Sequence, residues 1–222
     1  MIFYKKHPLY YIHLKKKIFK IQEISTFLNH FYKLKEVKRS GWESKLLLSH
    51  PESVAEHTLS MVVLALVIAE YNNYSSTKII KMIKMTLIHD LGESIIGDYM
   101  PNTIKTEKKK QLEDNAINKI ISKIPWLVIR NNYIKLWGEF RENKTNTSRL
   151  IHLIDKLDMA IQAKYYMENN KNINKSDVKP FFDSALKYVI DNSKSRNNKT
   201  FNNPDKNQNL DEIEQILLYL NN

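Results

Sequence analysis

Apolar residues along this chain recur at helical spacing while glycine is nearly missing, and together these constrain it to an all-α fold. Ile21, Ile24, Phe27, Leu28 and Phe31 make one stripe at the three- and four-residue intervals of a helix face. Val54, Leu59, Val62, Val63 and Leu66 make a second, running on to Ile68. Ile79, Ile80, Ile83, Leu87 and Ile88 make a third, with Ser76 or Thr77 as N-cap. Leu112, Ala116, Ile117, Ile120 and Ile121 make a fourth that ends near Pro125. Leu150, Leu153, Ile154, Leu157 and Ile161 make a fifth, and Phe181, Ala185, Leu186 and Val189 a sixth. Ile213, Ile216, Leu217 and Leu220 predict a last short helix. The chain has four glycines, three of them at Gly41, Gly92 and Gly97, too few for the tight turns of a sheet-rich fold. No useful length shows the period-two alternation of a strand.

These stripes predict one helical domain over residues 21–190, preceded by an N-terminal extension (1–20) and followed by a polar segment with a terminal helix (191–222). The Asn-, Lys- and Ser-rich stretch from Asp191 to Asn209 reads as a linker. At 222 residues and 42% hydrophobic content, a single domain can bury a real core.

Cysteine is absent, so neither a disulfide framework nor a thiolate nucleophile or ligand is available, which suits a cytoplasmic protein. The longest apolar run, Met61 to Ala69, falls short of the ~20 residues of a membrane span, so no membrane partner is expected. The first twenty residues mix aromatics with Lys and His and lack the apolar core of a signal peptide. The net charge of +11 reflects lysines scattered over the chain, with small clusters at Lys15–Lys17 and Lys108–Lys110. That charge steers anions, but without a basic stripe interleaved with aromatics a nucleic-acid partner is not expected. No glycine-rich phosphate loop is present.

The chemistry lies where polar residues interrupt apolar helices. Leu87-Ile88-His89-Asp90-Leu91-Gly92-Glu93 carries a His-Asp pair where a helix emerges from the core. His57 stands just before the apolar run of the second stripe, and Asp155 lies within the fifth. Polar groups on such faces need partners, and a metal is one. Two imidazoles and two carboxylates form a mixed nitrogen–oxygen set for a divalent ion: Mn, Co, Mg, Zn, Fe or Ni. Asp158 reads as a salt-bridge or solvent residue, His152 as a surface or outer histidine, and His30 as surface. Trp126 and Trp137 read as core.

The order His57, His89-Asp90, Asp155 resembles the H…HD…D signature of the HD-domain superfamily. Arg39-Ser40-Gly41-Trp42, Pro51-Glu52-Ser53-Val54-Ala55-Glu56-His57, Ile96-Gly97-Asp98 and Asp155-Lys156-Leu157-Asp158 are similar to the branch of HD domain-containing protein 2, which includes the bacterial 5′-deoxynucleotidases. The resemblance covers about residues 22–190. It implies a single HD-domain helical bundle with a buried metal site, and a metal-dependent phosphomonoesterase acting on (deoxy)nucleoside 5′-monophosphates. His57, His89, Asp90 and Asp155 match the ligands of one metal ion. Glu93 matches the acidic residue that acts on the attacking water, and Asp98 the residue that senses the sugar. Arg39 and Trp42 fall at or near the positions that hold the phosphate and shape the pocket; here Ser40 and Gly41 separate them, whereas the bacterial enzymes have them adjacent. Relatives of this branch tend to form homodimers.

Phosphate monoester hydrolysis needs a large barrier reduction, which a divalent cation, a guanidinium clamp and a positioned carboxyl can supply. The sequence leaves two other readings open: an HD phosphohydrolase or phosphodiesterase for a different nucleotide, and a basic helical nucleic-acid-binding protein whose HD residues are structural.

Overall fold

A computed structural model describes residues 8–100, 103–197 and 216, with only the backbone along 8–17 and 192–197. The described residues contain helices and no named strand. In chain order these are α1 (Pro8–Leu34), α2 (Ser40–Leu46), α3 (Val54–Tyr71), α4 (Ser76–Ile88), α5 (Glu93–Ile96), α6 (Thr106–Ile121), α7 (Leu127–Glu142), α8 (Asn146–Asn169) and α9 (Lys175–Asn197). The all-α expectation holds. The last helix expected near Leu220 lies outside the described residues, apart from Ile216.

Local chemistry sets the helix starts. Ser53 and Glu56 form a reciprocal capping box at α3: the Ser53 hydroxyl accepts from the Glu56 amide and the Glu56 carboxylate accepts from the Ser53 amide. Ser75 caps α4 by accepting from the Lys78 amide. Thr145 and Ser148 repeat the reciprocal arrangement at α8. Gly97, at φ 80°, closes α5 in a conformation that side chains resist.

α3, α4, α8 and α9 pack into the centre, with α8 touching all three of the others. Val54, Met61, Met85, Ile88, Ile151, Ile154, Ala160 and Phe182 fill the core between them. Such close packing makes each methylene count. An antiparallel bridge between Lys38 and Ser53 ties the segment before α2 to the start of α3. Arg39 N donates to Glu52 O at 3.0 Å and Val54 N to Val37 O at 2.8 Å. That bridge fixes Arg39 beside the first turn of α3, which carries His57.

Several expectations shift. α1 runs unbroken through residues 20 and 21, so the boundary between extension and domain falls inside one helix. α9 extends through Asp191, so the polar stretch begins as helix. On α3 the buried face is Val54, His57, Thr58, Met61, Ala65 and Ala69, whereas Leu59 and Val63 of the expected stripe are exposed. An all-apolar helix gives no periodic signal to choose the face. With a mean hydropathy of 1.5, α3 is long and apolar enough to cross a membrane, a length the sequence reading underestimated. Its buried His57 and its packing on α4 and α8 make it a helix of the domain's core. Trp137 is buried as expected, but Trp126 is exposed at the start of α7.

Candidate metal centre

Helices α3, α4 and α8 bring His57, His89, Asp90 and Asp155 together. His57 comes from the first turns of α3, His89 caps the C-terminal end of α4, Asp90 follows it, and Asp155 sits midway along α8. His57 Nε2 stands 3.3 Å from Asp155 Oδ1 and 3.8 Å from Asp90 Oδ2, and His89 Nε2 stands 3.0 Å from Asp90 Oδ2. The two imidazole rings meet edge to face at 5.5 Å between centroids.

Both buried imidazole nitrogens, His57 Nε2 and His89 Nε2, lack a hydrogen-bond partner in the protein. Buried polar atoms are normally satisfied, so two orphans turned toward the same pair of carboxylates mark the place for a cation. Ligating atoms of His57, His89 and Asp155 lie within 4.8 Å of one another, a spacing that fits one ion. The donor set, two imidazoles and two carboxylates, fits a divalent metal.

Groups behind the ligands fix their orientation. His57 Nδ1 lies 2.8 Å from Asp158 Oδ2, and Asp158 is buried. His89 Nδ1 donates to the Thr86 carbonyl at 2.6 Å. Both contacts leave Nε2 as the free nitrogen and fix the tautomer, as is usual for ligating histidines. Asp155 is oriented similarly: Lys156 Nζ donates to its Oδ2 at 2.9 Å, leaving Oδ1 toward His57. Of the two readings of Asp158, as a salt-bridge or a solvent residue, only the solvent one is corrected: it is buried and pairs with His57. Its place three residues beyond Asp155, near one face of the helix, is the signal that could have found it.

Electrostatics follow from this crowding. Burial and the positive Arg39 push His57 down, but Asp155 and Asp158 outweigh them and raise its pKa to about 9. Burial alone would raise Asp90; His89, Arg39 and His57 hold it well below the carboxylate range. Asp155 is likewise held well below that range, burial being outweighed by Lys156, His57 and Arg39. Glu93 goes the other way. Burial, with Asp90 and Asp98 adding repulsion, lifts it well above its usual value, and its Oε2 has no hydrogen-bond partner. Two carboxyl groups a few residues apart are thus driven in opposite directions.

A cleft of about 240 Å³ opens beside these groups. Its floor holds Asp90, Asp155, Glu93, Arg39 and Lys156; its outer wall holds Tyr99, Met100, Met159, Pro180 and Phe181. Arg39 Nη1 donates to Asp90 Oδ2 at 3.2 Å. Asp98 Oδ2 accepts from Ser40 N at 2.7 Å and from Ser40 Oγ at 3.1 Å. One Asp98 oxygen thus anchors the start of α2. Trp42 lines the cleft but is almost wholly buried, with Nε1 donating to Glu52 Oε1 at 2.8 Å and its ring 4.3 Å from Phe181. It acts as a wall whose one polar atom is already satisfied. Sequence reasoning passed over Glu52, Lys156 and Ser40, none of which interrupts an apolar stripe.

His30 and His152 do not join this centre. His30, read as surface, is half-buried and lies 2.9 Å from the Ser94 hydroxyl. His152 stacks on Phe140 at 4.1 Å, and its Nε2 lies 3.0 Å from the Phe140 carbonyl.

A helical scaffold that gathers two unsatisfied imidazoles and the Asp155 carboxylate, with Asp90 Oδ2 3.0 Å from His89 Nε2 and a guanidinium and the Glu93 carboxyl alongside, defines the class of helical metal-dependent phosphohydrolases. The HD domain family matches residues 31–196, and this chain belongs to that family. It is 37% identical over 171 residues to the 5′-deoxynucleotidase HDDC2 of Dictyostelium discoideum, spanning 73% of this chain and 89% of the relative. It is 30% identical to the human 5′-deoxynucleotidase HDDC2, spanning 63% of this chain and 66% of the relative. The fold is similar to that of the PH0347 protein of Pyrococcus horikoshii, with a TM-score of 0.64 at 23% identity, covering 90% of this chain and 99% of the other.

Proposed function

We propose that this enzyme hydrolyses nucleoside 5′-monophosphates, deoxyribonucleotides in preference, to the nucleoside and phosphate. The observation that carries the reading is geometric: two unsatisfied buried imidazoles stand against Asp90 and Asp155, with the Arg39 guanidinium donating to Asp90 and Glu93 lining the same cleft. The relatives named as 5′-deoxynucleotidases support the substrate class.

A divalent cation held by His57, His89, Asp90 and Asp155 would supply Lewis acidity toward the phosphoryl oxygens and water. Arg39 clamps the phosphoryl group through its planar donors, a geometry lysine lacks. Burial and the nearby Asp90 and Asp98 favour the protonated form of the Glu93 carboxyl, the form that can pass a proton to the departing 5′-oxygen. Water adds to phosphorus as the P–O5′ bond breaks, the Glu93 proton leaves O5′ as a hydroxyl, and the proton released by the added water restores the Glu93 carboxyl. The family resemblance implies a role for Glu93 toward water, and its position also allows it to protonate the leaving oxygen; its raised pKa favours the second. Asp98, one oxygen held by Ser40, has the other to accept from a sugar hydroxyl. The outer wall of Met100, Met159 and Phe181 offers apolar surface to a base.

A cytoplasmic location and a homodimer complete the proposal. The exposed apolar row Leu59, Val63, Val67 and Tyr71 on α3 supports self-association.

The test is phosphate release from deoxyribose and ribose 5′-monophosphates and cyclic nucleotides after chelation and reloading with Mn, Co, Mg or Zn. Release from the deoxy monophosphates that is abolished in Asp90→Ala supports the reading. Turnover of cyclic nucleotides alone, or none with any metal, overturns it.

A further inference from the structure

The N-terminal part of α1 and the start of α7 form a surface that the catalytic reading does not use. Trp126, Leu127, Val128 and Ile129 are consecutive and exposed, Leu127 at 64% and Val128 at 73%. Beside them on α1, Ile18, Phe19 and Ile21 are also exposed. The two segments touch: Lys20 Nζ lies 5.7 Å over the Trp126 ring. A run of large apolar side chains at a helix start is costly to leave in water and calls for a partner.

The two stretches that supply this patch carry charge of one sign: from Ile18 to Gln22 and from Asn115 to Gly138 the chain holds no acidic residue. The first stretch carries Lys20; the second carries Lys119, Lys123, Arg130 and Lys135. α6, which carries Lys119, packs on α1, and Lys119 and Lys123 are close enough to His30 of α1 to lower its pKa. Exposed Trp, Leu, Val and Ile with Lys20 over the indole and further basic residues on the same stretches is the pattern of a protein edge seated in the headgroup layer of an anionic bilayer. Aliphatic chains enter the acyl boundary, the indole stays at the interface, and lysines reach back to phosphate and carboxylate headgroups.

We propose that this edge docks the enzyme on anionic lipid membranes as a peripheral, non-spanning protein. The expectation of no membrane partner, drawn from the lack of a clear span, is thereby narrowed to the absence of spanning. A second copy fits the patch less well, because a two-fold interface would set each lysine rim against its like. A polynucleotide would pair with the lysines but leave Leu127 and Val128 without an apolar acceptor.

The experiment is co-sedimentation of the full chain with phosphatidylcholine vesicles, with and without phosphatidylserine. Binding is expected only with phosphatidylserine. It should weaken on the order of ten-fold or more in Lys20→Glu/Lys123→Glu, and similarly in Leu127→Glu/Val128→Glu. Phosphate release in solution should not change in either variant, because none of these residues lines the cleft. Absence of binding to phosphatidylserine vesicles overturns the proposal. So does binding that Leu127→Glu/Val128→Glu leaves intact, which would make the patch a plain polyanion site for which single-stranded RNA competes. Conversion of a dimer to a monomer by Leu127→Glu/Val128→Glu, with vesicle binding unchanged, overturns it in favour of self-association.

Discussion

Asp158 Oδ2 lies 2.8 Å from His57 Nδ1, and both side chains are buried. The contact makes Nδ1 the protonated nitrogen of a neutral ring and so dedicates Nε2 to the cation. Asp158→Asn keeps the shape but weakens the acceptor and permits the wrong tautomer. We expect metal affinity to fall by about 10–100-fold with the helical fold retained. Competition against a chromogenic chelator, alongside circular dichroism, measures both. Unchanged affinity would show that His57 is oriented by packing alone.

Lys156 does for Asp155 what Asp158 does for His57. Its ammonium holds Oδ2 at 2.9 Å, and it helps keep that carboxylate well below its usual range. Lys156→Met removes both effects while sparing the buried stem. Metal affinity should drop by roughly ten-fold, in line with the loss of a group that holds a ligand. Because Lys156 also lines the cleft, inorganic phosphate should inhibit the variant less well. Chelator competition and phosphate inhibition constants check the two arms separately.

Much of this centre was legible in the sequence because His57, His89, Asp90 and Asp155 each interrupt an apolar helical run. Asp98 and Arg39 came through the resemblance, since loop positions carry no period. Asp158 was legible only through its spacing from Asp155, while Lys156 and Glu52 were not legible as site residues, because a lone charged residue looks alike whether it faces water or a buried partner. The fold class followed from period and scarce glycine. The buried face of α3 did not, because Leu59, Val62, Val63 and Leu66 are apolar on nearly every side of the helix. α2 was missed because Ser40-Gly41-Trp42 offers no stripe; Asp98, far along the chain, supplies the acceptor at its start.

Glu93 should set the alkaline limb of the pH–rate profile. Its proton is held by burial and by repulsion from Asp90 and Asp98. A proton donor must be protonated, so rate falls as pH rises through its raised pKa. Glu93→Gln should lower kcat by about 10²–10⁴-fold and remove that limb, with metal binding retained. A profile whose alkaline limb persists in Glu93→Gln would assign the limb to another group.

Metal removal should change how stability depends on pH. In the metal-free protein, burial and Arg39 lower the basicity of His57, but Asp155 and Asp158 prevail and lift it to about 9 from an ordinary 6.5. A raised folded-state pKa contributes stability that is fully present below about 6.5 and is lost as pH rises through about 9. A shift of that size corresponds to about 3 kcal/mol at most. The metal-bound protein should not show this loss, since a ligating imidazole carries no proton at Nε2. It follows that cation binding below pH 9 releases a proton, and affinity rises with pH across that window. Urea unfolding from pH 6 to 9.5, with and without chelator, measures the difference; parallel stability curves would remove His57 from the coupling between proton and metal.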